Sequence, residues 1–188
     1  MKFAVAAITI GLSTTLAHAQ TAVETVAFLS LGIEGSKNSG MSFREEVSSS
    51  GKELRYKLYG SSGILSDLVI TETDKCVFQI KGPRFNSDRI IQANYTIDFN
   101  GLLPQEPENL RNTDEDNVFQ KVVYYMRIPG VTVCSKGESF TWPRENFPPA
   151  GECTSSMKTK PVGPGGNLDR QIAALKYFRQ NFCTGKAF

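Results

Sequence analysis

The cleanest alternation in the chain runs from Ile91 to Phe99. Ile91, Ala93, Tyr95, Ile97 and Phe99 take every second position, and Gln92, Asn94, Thr96 and Asp98 take those between. Successive side chains of a strand point to opposite faces, so this pattern predicts a β-strand with one buried and one wet side. The period of two extends over most of Met41 to Cys134. Met41, Phe43 and Val47 alternate with polar neighbours, Ser48-Ser49-Ser50-Gly51 supplies a turn, and Leu54, Tyr56 and Leu58 alternate with Glu53, Arg55 and Lys57. That is a hairpin signature. Leu68 to Thr73 and Cys76 to Lys81 flank Asp74-Lys75, a connection too short for a parallel crossover, and predict a second antiparallel pair. Val118 to Ile128 is rich in β-branched and aromatic residues, stops at Pro129-Gly130 and resumes at Val131 to Val133.

The period changes to that of a helix near both ends of the chain. Thr21 and Glu24 have the spacing of a capping box, and Val23, Val26, Ala27 and Leu31 then recur on one face before Gly32, a residue suited to a left-handed C-terminal cap. Phe28 and Leu29 are apolar too, so a largely buried helix ending near Leu31 is expected. At the other end Asn167 is the expected N-cap, and Leu168, Ile172, Leu175, Phe178 and Phe182 form an apolar stripe. Arg170, Lys176 and Arg179 lie off that stripe and read as a solvated face. Between Cys134 and this helix periodicity fails: Trp142-Pro143 and Phe147-Pro148-Pro149 mark irregular chain, and residues 155–166 read as a flexible connector. The predicted fold is α+β: a curved antiparallel sheet of six or seven strands with an N-terminal and a C-terminal helix on one face.

Residues 1–19 carry the layout of a secretory signal. Lys2 is followed by an apolar run from Phe3 to Leu12 and by Ala17-His18-Ala19, so cleavage after Ala19 is expected, leaving residues 20–188 as one domain. The run is shorter than the roughly 20 residues that span a bilayer, and no later stretch is longer. The expected location is the periplasm or the extracellular medium. Loss of Lys2 leaves 20 basic against 19 acidic residues, a balance with no clustered basic excess, so neither nucleic acid nor membrane insertion is expected.

Export changes the meaning of the four cysteines. In an oxidising compartment Cys76, Cys134, Cys153 and Cys183 are expected to form two disulfides, and sequence alone leaves three connectivities open. The favoured pairing is Cys134 with Cys153, closing a Pro/Gly-rich loop, and Cys76 with Cys183, fastening the C-terminal segment. The four are scattered without a C-x-x-C pair, so neither zinc nor any other cofactor is expected. Histidine narrows the chemistry further. The only one, His18, lies in the signal, so histidine bases, Ser-His-Asp or Cys-His nucleophiles and histidine metal sites all leave with it.

What remains for catalysis is chiefly carboxylates. Glu45, Glu46, Glu72 and Asp98 fall on predicted strands, where two on one face would suit a small carboxylate-dependent hydrolase acting on envelope glycan. Asn112, Asp114 and Asp116 have the alternate spacing of calcium-binding loops, but Asn117 and Val123 stand where an EF-hand needs Gly and Glu, and a polar turn is the competing reading. Tyr124, Tyr125, Trp142 and Phe147 read either as a binding surface or as core and rim packing. Asn94-Tyr95-Thr96 matches a glycosylation acceptor but lies inside a predicted strand. The leading expectation is a non-enzymatic binding protein for a protein, glycan or small apolar ligand, with catalytic residues unknown. The carboxylate hydrolase is the alternative.

Overall fold

A computed structural model describes residues 20–33, 37–38, 41–48, 50–60, 63–86, 89–103, 107–113, 122–136, 148–159 and 168–184; residues 1–19, expected to be a signal, lie outside these. The first described element is helix α1, Ala22–Leu31. Its start is fixed by the capping box: Thr21 Oγ1 accepts from the Glu24 N–H at 3.3 Å, and the Glu24 carboxylate accepts from the Thr21 N–H. Its end is Gly32 at φ 66°, whose N–H bonds the Phe28 carbonyl at 2.9 Å. Seven of its ten residues are buried, Thr25 and Ser30 among them with their hydroxyls donating to the Thr21 and Val26 carbonyls.

Strands follow in the order β1 (Lys37–Asn38), β2 (Met41–Val47), β3 (Glu53–Gly60), β4 (Gly63–Asp74), β5 (Val77–Asn86), β6 (Arg89–Asp98), β7 (Glu108–Thr113), β8 (Val122–Ser135) and β9 (Cys153–Lys158), with helix α2 (Leu168–Asn181) last. All pairings among the described residues are antiparallel, and the sheet is open. From β1 to β6 each strand pairs with the next. β8 is long enough to serve two partners, taking β7 against residues 122–127 and β6 against residues 132–135. β9 pairs with β8 at Arg127, where β7 also pairs, and at Cys134, where β6 also pairs. A strand has only two edges, so β6 and β7 lie end to end along one edge of β8 and β9 runs along the other.

The α+β architecture with terminal helices matches the pattern of hydrophobic positions. The described residues form nine strands where six or seven were expected, because β1, β7 and β9 fall in segments with little apolar alternation. β9 also shortens the connector: residues 155–158 belong to the strand and Thr159 is fully buried. The expectation of flexible chain from 155 is corrected there, while 160–167 lie outside the described residues.

One face of the sheet carries the core. Leu54, Tyr56, Ile70, Phe78, Ile80, Tyr95, Ile97, Met126, Ile128 and Val133 are 1% exposed or less and join Val23, Val26, Leu29, Leu175 and Phe178 of the helices in one cluster. Burial of each such side chain contributes roughly 1.5–3 kcal/mol. Phe178 packs at a tilt against Phe99, with centroids 4.8 Å apart, and lies 5.9 Å from Phe78. A polar thread runs through this core: the Met126 N–H donates to Thr159 Oγ1 (3.0 Å), which donates to Gln171 Oε1 (2.8 Å), while the Thr159 N–H bonds the Met126 carbonyl. It ties α2 to β8 at a fixed position, since a slip would strand buried donors.

Two disulfides complete the frame. Cys76 to Cys183 joins the β4–β5 turn to the end of α2 across 107 residues, and Cys134 to Cys153 links directly opposed residues of β8 and β9. Cys76 sits at φ 61°, a left-handed conformation that costs a non-glycine residue about 1–2 kcal/mol and is held here by the bridge and by burial. Arg179 departs from the solvated face expected for α2. It is half-buried and donates to the Leu103 carbonyl at 2.7 Å, pinning the segment after β6 to the helix.

Candidate functional site

The helices cover one side of the sheet, so the opposite side is where strand side chains meet the surroundings. Alternation decides which they are: on β3 to β6, Glu53, Arg55, Lys57, Asp67, Val69, Thr71, Gln79, Lys81, Asn94, Thr96 and Asp98 all face away from the core, and each is half-buried or exposed. The register aligns them in rows. One row runs Glu53, Thr71, Gln79, Thr96 and on through Cys134 to Cys153, crossing from β3 to β9. A second, about 7 Å away along the strands, holds Arg55, Val69, Lys81 and Asn94.

The charged end of this face neutralises itself. Arg55 donates to Asp67 at 2.9 Å and to Glu53 at 3.2 Å, and these hydrogen bonds, that to Glu53 foremost, raise its already high pKa, so the guanidinium stays charged. In the middle Gln79 Nε2 donates to Asn94 Oδ1 at 3.0 Å, flanked by Thr71 and Thr96, with the exposed Lys81 opposite Asn94. Further along, Lys158 lies over the Tyr125 ring at 5.4 Å from its centroid. The result is an array of amides, hydroxyls and charged groups that can both donate and accept hydrogen bonds.

The carboxylates proposed for hydrolysis are not brought together. Register places Glu45 opposite Tyr56 and Glu46 opposite Arg55, both on β2. Asp98 is four strand steps away on β6, about 19 Å, well beyond the roughly 5–9.5 Å that glycosidase pairs use. Glu72 lies opposite the core residue Phe78, while Asp98 belongs to the outer side, so the sheet stands between these two. Asp98 has a structural role: its Oδ1 accepts from the Asn100 N–H at 2.8 Å, and Asn100 donates to the Lys75 carbonyl, closing the turn after β6.

The other candidates lie only partly within the described residues. Asn112 lies on β7 opposite Val123, and Asp114 and Asp116 lie outside the described residues, among which no group of three or more metal-binding side chains occurs. Tyr125 is buried at 9% exposure, and Trp142 and Phe147 lie outside the described residues. Asn94 is in mid-strand. The outer rows were not visible as a site in the sequence, because neighbours within them are 8 to 38 positions apart and only register joins them. Compared with known proteins, the chain matches no family model, no curated protein and no solved structure.

Proposed function

We propose that this is a secreted or periplasmic non-enzymatic binding protein that presents the outer face of its sheet to a protein partner. The observation that carries this reading is the contrast between the two faces. The helix-covered face is filled by the protein's own large side chains, Tyr56, Phe78, Tyr95, Phe99 and Phe178 among them, each 1% exposed or less. That favours a surface partner over a small apolar ligand taken into the core. The outer face instead offers half-exposed hydrogen-bonding groups from adjacent strands in register. The described aromatic on this side, Tyr125, is only 9% exposed and lies under Lys158, so little of its ring is open to stack on a sugar, which favours protein over glycan. The signal-like N-terminus and the two disulfides support the extracytoplasmic location.

A photo-reactive amino acid placed at Lys81 or Thr132, both exposed on the outer side, is expected to give adducts of discrete mass in the producing cell, whereas the same group at Lys176 on α2 gives none. Adducts from all three positions alike, or from none, would overturn the proposal. Envelope fractionation of the same cells checks the location, with the chain expected to start at Gln20.

A further inference from the structure

The two disulfides sit in opposite surroundings. Cys76 and Cys183 are 3% and 1% exposed, sealed beneath the end of α2, whereas Cys153 is exposed and Cys134 half-buried. Exchange requires a thiolate to reach a sulfur along the S–S axis, so access separates the two bridges before any difference in intrinsic stability does. We propose that Cys134 and Cys153 form a thiol–disulfide exchange site for a dithiol, attacked at Cys153 and opened without unfolding the protein.

The surrounding ladder makes the opening reversible. Cys134 and Cys153 are direct cross-strand partners. On one side of them the Ser135 N–H bonds the Glu152 carbonyl at 3.0 Å and the Gly151 N–H bonds the Ser135 carbonyl at 3.1 Å. On the other, Arg127, Ile128 and Pro129 pair with Lys158, Met157 and Ser156, and Met157 is fully buried. With the S–S bond cut, these contacts keep β9 on β8 and hold the two thiols side by side. The bridge also ends the outer row of Glu53, Thr71, Gln79 and Thr96, so its state changes the margin of that face. The exchange site stands whether or not that face binds a protein.

The chemistry balances with the dithiol as the only co-reactant. A thiolate of the dithiol attacks Cys153 Sγ, the S–S bond breaks, and the electron pair leaves on Cys134 Sγ, which takes a proton from solvent. The second thiolate of the dithiol then attacks its own partner sulfur in the mixed disulfide, and Cys153 leaves as a thiolate and is protonated. One protein disulfide becomes two thiols, the dithiol becomes a disulfide, and two electrons and two protons are transferred.

The test is a time course of the native oxidised protein in dithiothreitol, quenched with iodoacetamide and read by peptide mass. Alkylation of Cys134 and Cys153 is expected at least about tenfold sooner than that of Cys76 and Cys183, with circular dichroism unchanged over the first phase. Labelling of all four cysteines together, in step with unfolding, would overturn the proposal, as would earlier labelling of Cys76 and Cys183. The attacked sulfur is checked with oxidised glutathione as probe. C134S, which keeps Cys153, should form the mixed disulfide several times faster than C153S, which keeps Cys134; equal rates would remove the assignment to Cys153.

Discussion

Gly101 and Gly130 meet backbone to backbone where β8 changes partner from β7 to β6, and a Cβ on either one would strike the other's carbonyl oxygen. Gly130 also sits at φ 77° in the irregular stretch between Pro129 and Val133. The Pro129-Gly130 pair therefore marks a bulge in a continuing strand rather than its end, and the bulge lets the turn after β6 press against β8.

Gly130→Ala should accordingly be severe. It adds a methyl against backbone that cannot yield and against the Leu103 side chain, on top of the left-handed strain. Gly151 separates the two effects: it has φ 81° but open space, with nothing within 4 Å of where a Cβ would stand. Gly151→Ala is expected to cost about 1 kcal/mol in urea unfolding, and Gly130→Ala at least about 2 kcal/mol more. Equal losses would show that the close approach carries no energetic weight.

Thr159→Val keeps the shape of a fully buried residue but leaves the Met126 N–H without its acceptor and removes the donor to Gln171 Oε1. A loss of about 1–3 kcal/mol is expected, against less than about 0.5 kcal/mol for Thr132→Val on the exposed side of β8. A double-mutant cycle with Gln171→Leu should show coupling, because the two side chains share one hydrogen bond. Additive effects would mean that the thread does not tie α2 to β8.

These residues also show where the sequence was legible. Tyr95, Ile97 and Phe99 are fully buried and Asn94, Thr96 and Asp98 face out, as alternation required, because a strand with one wet face has nowhere else to put them. Thr21 and Glu24 form their cap because its contacts span only three residues. Thr159 and β9 were hidden for the opposite reason. In Cys153–Lys158 only Met157 points into the core, so no period shows, and its strand conformation comes from β8 and the bridge. The same holds for β7, whose Glu108–Thr113 reads as a polar turn until Val122–Arg127 lies beside it. Arg179 looked solvated because its acceptor, the Leu103 carbonyl, belongs to a backbone 76 residues away. The outer face belongs to this second kind, being made by register across strands.

Removing the bridges should rank by loop length. Cys76 and Cys183 are 107 residues apart and Cys134 and Cys153 are 19 apart, so the chain-entropy estimate gives about 4.7 kcal/mol for the first and about 3 kcal/mol for the second. The paired change C76S/C183S should cost more still, because it frees the end of α2 and leaves two buried hydroxyls. C134S/C153S places its hydroxyls at the surface and should remain folded at room temperature. Chemical denaturation of the two double variants checks the order, and a larger loss in C134S/C153S would contradict it.

The outer face should be cheap to alter and costly for binding. Gln79 and Thr96 are cross-strand neighbours on the side away from the core, with Lys81 exposed in the adjacent row. Substitutions that face solvent and leave the ladder intact usually change stability little, so Thr96→Arg combined with Lys81→Glu should shift Tm by no more than about 3 °C. The same pair of changes places new bulk in one row and reversed charge in the next, which a partner docked in register cannot accommodate. Crosslinking from Thr132 should then fall at least about tenfold, whereas Lys176→Glu on α2 leaves it unchanged. Undiminished crosslinking in a folded Thr96→Arg, Lys81→Glu protein would move the binding surface off these rows.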